Sequence, residues 1–196
     1  MKDYSQHGEQ AIILDYFEKQ GIQQGRFLDI GANDGITFSN SYALAIRDWK
    51  GVAVEASPYN FCKLKENYKE FPIDLLCACV GQETGIIKFY NAQDGTVSTP
   101  NLENKKVWET ETPFTEIYLS QIRLVEISKQ FGATFDFINI DVEGGSFELY
   151  KRMHGTLLAK MICLEHDNYA DEAAAIGVEQ GYKEIHRNGT NIILAK

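Results

Sequence analysis

The sequence predicts an α/β protein whose central sheet is mostly parallel and ends in an antiparallel hairpin. Residues 27–30 form a short apolar run typical of a buried strand, and they lead into a glycine-rich turn at 31–35. A helical stretch follows, then a second apolar run at 51–54. Near the other end of the chain, Asn188-Gly189 separates two further runs, which is a strong hairpin signal. These observations indicate β-α-β units followed by a hairpin.

The glycine turn is also the first candidate binding site. Strand, glycine turn, helix, strand and acid is the order that places a nucleoside at the carboxyl edge of a parallel sheet, where Glu55 would accept hydrogen bonds from ribose hydroxyls. The turn lacks the dinucleotide fingerprint, because Asn33 and Asp34 stand where a pyrophosphate binder favours glycine. Asp29 and Asp34 instead suit a positively charged ligand such as S-adenosylmethionine. An ordinary α/β turn without a ligand is the alternative.

The rest of the chain continues the alternation of helices and strands. Apolar residues three or four apart predict the helices, Ser57-Pro58 marks one helix start, and Gly181 marks one helix end. The predicted helices end near residue 19, cover 37–47, follow Ser57-Pro58, cover 124–131, end near 153 and cover 171–180. The remaining predicted strands cover 73–80, 86–90, 115–119, 135–140, 161–164, 182–186 and 190–194.

Two segments lie outside this alternation. Residues 1–24 are predicted to be a helical lead-in, in which Ser5 is a candidate helix cap and the segment around it a candidate cover for the ligand. Residues 91–114 are polar, rich in turn residues and weakly periodic. Their length predicts a lid or mobile loop rather than framework.

Composition narrows the class of protein. A chain of 196 residues is most simply one domain, covering residues 1–196. The formal charge of −9 argues against a nucleic-acid partner, because neutralising phosphates needs a basic surface. No apolar run is long enough for a membrane span, and the first residues lack a signal-peptide core. The four cysteines lack zinc-ligand spacing, so we expect reduced thiols and a cytoplasmic protein.

Five βα-type units and a terminal hairpin match the Rossmann-like class I methyltransferase fold, with a mostly parallel seven-stranded sheet. Particular motifs narrow this to one family: Tyr4-Ser5-Gln6 with Gly8-Glu9, residues 27–35 (Phe-Leu-Asp-Ile-Gly-Ala-Asn-Asp-Gly), Ser39-Asn40, residues 51–55, and residues 140–144 (Ile-Asp-Val-Glu-Gly). In this combination the chain resembles the FkbM-type family of S-adenosylmethionine-dependent methyltransferases. The resemblance implies methyl transfer, usually to a hydroxyl of a sugar or polyketide-like metabolite.

The resemblance and the fold together assign a cofactor site. Its predicted residues are Ser5, Gln6, Asp29, Gly31, Asn33, Gly35, Ser39, Asn40, Glu55, Ala56, Val80 and Asp141. Val80 should lie beside the adenine, and Gly31 should pass under the methionine portion, so that Gly31→Val blocks the cofactor without unfolding the chain. Gly145-Ser146 and Gln10 depart from the family, which often has acids there. Those departures bear on the acceptor more than on the cofactor.

The reacting atoms should lie beyond the carboxyl ends of the strands. Asp141 and Glu143 are two residues apart on extended backbone, so they share a face and, with Glu165, could hold a divalent cation such as Mg²⁺. Helix-start electrostatics and a glycine turn are the alternative explanation for these acids. His166 is the candidate general base, although a structural role is the alternative. The predicted catalytic residues are therefore Asp141, Glu143 and His166.

Two other classes of function stay open at this level. A catalytically silent protein of the same fold would bind S-adenosylmethionine or another nucleoside without turnover. A dinucleotide-dependent oxidoreductase would bind NAD, but the chain length and Asn33-Asp34 disfavour it. The partner expected for a methyltransferase is a small-molecule or carbohydrate acceptor.

Overall fold

A computed structural model describes residues 2–93 and 95–196. Its main sheet has seven strands, and their bounds are β1 Arg26–Ile30, β2 Lys50–Glu55, β3 Ile73–Cys77, β7 Phe137–Ile140, β8 Met161–Glu165, β9 Lys183–Arg187 and β10 Asn191–Ala195. Their order across the sheet is β3-β2-β1-β7-β8-β10-β9. Among these described strands, only β10 runs against its neighbours, pairing antiparallel with both β8 and β9. The predicted fold class, with its C-terminal antiparallel hairpin, is confirmed.

Helices cover both faces of this sheet. They are α1 Glu9–Lys19, α2 Tyr42–Ala45, α3 Pro58–Asn67, α5 Leu124–Phe131, α6 Ser146–Met153 and α7 Ala170–Glu179. The first three pack on the face that carries Phe27, and the last three on the face that carries Leu28. Burial on both faces explains why the central strands read as continuous apolar runs. It also leaves the carboxyl ends of the strands as the open edge.

A small second sheet lies beside the carboxyl end of β3. It contains β4 Cys79–Val80, β5 Gly85–Ala92 and β6 Phe114–Ile122, in the order β4-β6-β5. The prediction of one unbroken strand over 73–80 was therefore wrong. The chain leaves the main sheet at Ala78, because Cys79 and Val80 pair with β6 instead.

The helix predicted over 37–47 is much shorter in the structure. Phe38 has a φ of 57°, which lies in the left-handed region and is incompatible with a helix at that point. The helix α2 begins only at Tyr42. Residues 36–41 thus form a loop at the open edge of the sheet.

In both segments outside the alternation, the described residues make specific contacts. In the N-terminal segment, the buried carboxylate of Glu9 accepts hydrogen bonds from the side chains of Asn188 and Asn191, which ties the start of α1 to the hairpin. The hydroxyl of Ser5 accepts the N–H of Gln10 in the first turn of α1. Residues 91–114 contain a helix, α4 Leu102–Trp108, that the sequence did not indicate. Met1 and Asp94, which belong to these two predicted segments, lie outside the described residues.

The described part of the chain contains no helix that is both long and apolar enough to cross a membrane.

Candidate active site

A crevice of about 430 Å³ opens at the carboxyl ends of β1, β2 and β7. Its floor is the turn after β1, and its roof is the segment that contains α4. The segments that line it are Gln6, 29–33, 37–40, 54–56, 78–80, Phe89, 95–98, Pro100, Trp108, 111–112, Asn139 and 141–143. This volume is within the range usual for small-molecule and cofactor sites.

The turn after β1 is shaped by Gly31, whose φ is 90°. The N–H groups of Gly31 and Ala32 both donate to the carbonyl oxygen of Val54, which joins the turn to β2. A side chain at Gly31 would place its Cβ 1.6 Å from the carbonyl oxygen of Asp141. Position 31 therefore requires glycine, because the ends of β1 and β7 converge there. The expectation that Gly31→Val spares the fold is contradicted by this contact.

Glu55 ends β2 and is almost fully buried. One carboxylate oxygen accepts the N–H of Asn33 at 2.8 Å, and the other accepts the N–H of Ser57 at 2.7 Å. Burial raises the pKa of Glu55 to about 7, against the opposing effect of these bonds. Each oxygen keeps a second lone pair, so the group can still accept hydrogen bonds from a ligand.

A chain of buried polar groups lies at the other end of the floor. Asn40 donates to Asn139 at 3.1 Å, and Asn139 donates to Asp29 at 2.9 Å. The hydroxyl of Ser41 also donates to Asp29, whose pKa is raised by burial. In the described part of the protein, the buried Oδ1 of Asn40 has no hydrogen-bond partner. This end of the crevice therefore offers acceptors to a ligand that carries donors or positive charge.

Three acids meet where β7 and β8 end. One oxygen from each of Asp141, Glu143 and Glu165 lies within 4.8 Å of the others. Burial raises the pKa of Asp141 well above its ordinary value, and repulsion from Glu165 and Glu143 adds to the effect. Burial also raises the pKa of Glu165, whose carboxylate accepts a hydrogen bond from Ser146 at 2.8 Å. Three carboxylates this close repel one another, so binding a proton or a cation among them is favourable.

His166 is buried but does not line the crevice. Its Nδ1 accepts the N–H of Asn168 at 3.2 Å, and its Nε2 lies 3.2 Å from the carbonyl oxygen of Asn188. Both ring nitrogens are thus used to hold the loop after β8 against the hairpin. This placement favours the structural role over the predicted role as general base.

The roof of the crevice is anchored at its start. Thr99 forms a two-way backbone pair with Tyr90, and its hydroxyl donates to the carbonyl oxygen of Glu143 at 2.8 Å. Glu143 itself has a φ of 54°, so its backbone is held in the left-handed region. The roof therefore contacts the acid cluster directly through Glu143.

Most of the predicted site residues meet at the crevice. Those that line it are Gln6, Asp29, Gly31, Asn33, Ser39, Asn40, Glu55, Ala56, Val80, Asp141 and Glu143. Four others do not line it: Ser5, Gly35, Glu165 and His166. Gly35 is packed against the rings and side chains of Tyr68 and Leu64 instead. Glu165 reaches the site through its contact with Asp141.

Sequence reasoning missed several lining residues, among them Phe38, Phe89, Trp108, Thr112 and Asn139. Asn139 carried a signal, because it is the only polar residue in the strand Phe-Ile-Asn-Ile of β7. A buried amide in a central strand needs a polar partner, which points to Asp29 on the neighbouring strand. The residues of the roof carried no comparable signal.

The model of the methyltransferase FkbM domain matches residues 29–190, which is most of the chain. The chain belongs to the FkbM methyltransferase family. Among curated proteins, none matches the sequence.

Solved structures show the fold of this FkbM methyltransferase at low sequence identity. A hypothetical protein from Thermus thermophilus is 16% identical with a TM-score of 0.56, and the match covers 98% of this chain and 86% of that chain. A ribosomal protein L11 methylase from Lactobacillus delbrueckii subsp. bulgaricus is 13% identical with a TM-score of 0.52, covering 97% and 78%. A precorrin-6y C5,15-methyltransferase from Geobacter metallireducens is 14% identical with a TM-score of 0.50, covering 95% and 86%.

The family makes this chain a methyltransferase that uses S-adenosylmethionine. The crevice fits that cofactor in chemistry as well as in volume. Glu55 can accept hydrogen bonds from ribose hydroxyls, and Asp29 with the unpartnered Oδ1 of Asn40 suits an ammonium group. Ala56 and Val80 line the crevice beside Glu55, where an adenine ring would lie.

Replacing Glu55 with alanine should weaken binding of S-adenosylhomocysteine by about 2–3 kcal/mol, because charge-assisted hydrogen bonds to the ribose are lost. Calorimetric titration measures the change. Asp74→Ala is the matched control, since it removes one exposed acid from the adjacent strand β3. Equal affinity in the Glu55 and Asp74 variants would show that the ribose lies elsewhere.

The raised pKa of Glu55 also predicts how pH acts on the protein. The folded apo protein holds this proton more tightly than the unfolded chain does. Glu55 therefore contributes stability that is complete below the ordinary pKa of 4.5 and is lost as the pH rises through about 7. Ribose hydroxyls donate to the deprotonated form, so cofactor affinity should rise by roughly tenfold from about pH 6 to about pH 8. Titrations across this range check the slope, and Glu55→Ala should flatten it.

Proposed function

We propose that this FkbM methyltransferase methylates a hydroxyl oxygen of a sugar or of a glycosylated or polyketide-like small metabolite. The observation that supports it is the carboxylate pair of Asp141 and Glu143 in the wall of the crevice. A hydroxyl is a weak acid, so transfer to its oxygen is slow unless a nearby group takes the proton. Acceptors that are already nucleophilic when neutral would not need such a cluster.

Different residues of the crevice would bind the cofactor and carry out the chemistry. S-adenosylmethionine supplies a methyl group on a positively charged sulfur, open to in-line displacement. Glu55, Asp29 and Asn40 would orient it. Asp141 or Glu143 would take the hydroxyl proton while the acceptor oxygen bonds to the methyl carbon, the carbon–sulfur bond breaks and S-adenosylhomocysteine leaves. Residues 91–114, the predicted lid, would cover the acceptor and exclude water.

A divalent cation such as Mg²⁺ is a second means of acidifying the hydroxyl. The oxygens of Asp141, Glu143 and Glu165 are grouped closely enough for one hard cation, which prefers carboxylate ligands. The raised pKa values of Asp141 and Glu165 also mean that neutralising this cluster is favourable. The two routes differ in their response to chelation.

Methyl-labelled S-adenosylmethionine and a panel of acceptors test the proposal. The panel should contain methyl glycosides, glycosylated polyketides, amines and thiols, and NMR should locate the transferred label. Label on a hydroxyl oxygen supports the proposal, and label found only on nitrogen or sulfur contradicts it. Cofactor binding without transfer to any acceptor would favour the catalytically silent alternative. If chelation abolishes transfer and Mg²⁺ restores it, the cation route holds.

A further inference from the structure

Phe38 combines three properties at the mouth of the crevice. The residue is 55% exposed, its φ is 57°, and it lines the crevice wall. A bulky residue in the left-handed region is strained, and strain of this kind concentrates at functional sites. Because the ring is exposed, its own burial does not compensate for the strain. The strained and exposed conformation of Phe38 therefore does not help to stabilise the isolated chain.

The backbone around Phe38 is held from both sides. Before it, the carboxylate of Asp34 accepts the N–H groups of Ile36 and Thr37 and the hydroxyl of Thr37. After it, the hydroxyl of Ser39 accepts the N–H of Tyr42 at 3.0 Å. Phe38 also forms an isolated parallel bridge with Ser5. The exposed ring is thus presented by a fixed loop.

This loop lies at the end of the crevice away from Glu55. Asn40, two residues after Phe38, donates to Asn139 on β7, and Asp141 follows Asn139 by two residues. The loop and the acid cluster therefore border the same end of the crevice. Gln6, Thr37 and Ser39 line the crevice together with Phe38 and carry hydrogen-bonding groups. An apolar face ringed by polar groups matches a ligand with an apolar face and hydroxyls at its edge.

We infer that Phe38 is the stacking platform for the acceptor and that the acceptor presents the C–H face of a sugar ring to it. Pyranose rings carry such a face, while their hydroxyls would reach the amides and carboxylates around it. The inference rests on the proposed function and adds the recognition element. It assigns specificity to a residue outside the acid cluster.

Saturation-transfer NMR on the protein saturated with S-adenosylhomocysteine tests the inference. The probes are methyl glycosides of glucose, galactose, mannose and rhamnose. We expect ring C–H protons of at least one glycoside to be saturated in the wild type, and its affinity to fall by roughly tenfold in Phe38→Ala. Phe38→Trp and Phe38→Tyr should keep the signal. Tyr118→Ala removes another exposed ring, 71% exposed on β6, and should change nothing.

Calorimetry with S-adenosylhomocysteine on every variant shows that the fold and the cofactor site are intact. Glycoside binding that is equal in wild type and Phe38→Ala overturns the platform. If none of the four glycosides binds to a wild type that does bind S-adenosylhomocysteine, the sugar assignment is overturned. Neither outcome touches the proposed methyl transfer to oxygen, which the labelled-methyl screen decides separately. Conversely, glycoside binding that depends on Phe38, without methyl transfer, would uphold the platform and reject the enzyme activity.

Discussion

Replacing Asp141 with asparagine should lower the rate of methyl transfer by roughly 10²- to 10⁴-fold, the usual effect of a lost general base. The asparagine amide has nearly the shape of the aspartic acid carboxyl group. Burial raises the pKa of Asp141, so its carboxylate takes up a proton more readily than an ordinary one, and the amide cannot take it up at all. The N–H₂ of the asparagine can donate to Glu165. The variant should therefore keep the geometry of the acid cluster and lose only the ability to take a proton or bind a cation.

The cofactor readout separates a catalytic role of Asp141 from a structural one. Affinity for S-adenosylhomocysteine should stay within about threefold of wild type, because the variant leaves Glu55, Asp29 and Asn40 unchanged. Asp15→Asn, an exposed acid on α1, is the control for loss of charge. A variant with wild-type turnover would remove Asp141 from the reaction. His166→Ala is informative in the opposite sense, since its structural contacts predict lower stability rather than a specific loss of rate.

Much of the fold could be predicted because the signals are local and repeated. The strands β1, β2, β7 and β8 are buried on both faces, so each reads as an apolar run bounded by polar residues. The helix α5 was predicted with its observed bounds, because its apolar residues keep a regular helical spacing. The hairpin followed from Asn188-Gly189, and the side chain of Asn188 does accept two backbone N–H groups of the turn.

The errors arose where a distant partner overrides the local pattern. The apolar run at 73–80 gives no sign that β6 captures Cys79 and Val80, because that pairing spans about 40 residues of chain. The helical spacing at 37–47 is real, but Asp34 and Ser5 fix the loop that contains Phe38. In α4 no residue is buried, so the helix lacks the apolar stripe by which a sequence shows a helix.

Prediction of the site also succeeded where the signal was local and failed where a distant contact decides. Acids at strand ends were predictable, since the carboxyl ends of parallel strands meet at one edge. Glu55, Asp29 and Asp141 accordingly border one crevice. His166 follows a strand end as well, but its Nδ1 accepts the N–H of Asn168 in the loop after β8, and its Nε2 lies against the carbonyl oxygen of Asn188 in the hairpin turn. Which strand-end residues face the crevice is decided by such tertiary contacts.

Replacing Gly31 with alanine or valine should destabilise the folded state by at least about 4 kcal/mol, enough to unfold much of a typical domain. A Cβ there would overlap the carbonyl oxygen of Asp141, which is backbone and cannot rotate away. The backbone cannot shift freely either, because Asp141 donates its N–H to Ile30 and Gly31 donates its N–H to Val54. Loss of cofactor binding in this variant would follow from loss of the fold.

Gly132→Ala separates the overlap from the strain of a positive φ. Gly132 has a φ of 89°, almost the same as Gly31, but the nearest atom to its added Cβ is the guanidinium of Arg26 at 3.7 Å. Its ψ is 159°, a backbone conformation nearly exclusive to glycine, so it should lose only the roughly 1–3 kcal/mol expected for a residue with a Cβ in such a region. Urea denaturation of both variants measures the difference. An unfolding free energy of Gly31→Ala equal to that of Gly132→Ala would mean that β1 and β7 can separate at their ends. The tight convergence of these strands at the floor of the crevice would then be contradicted.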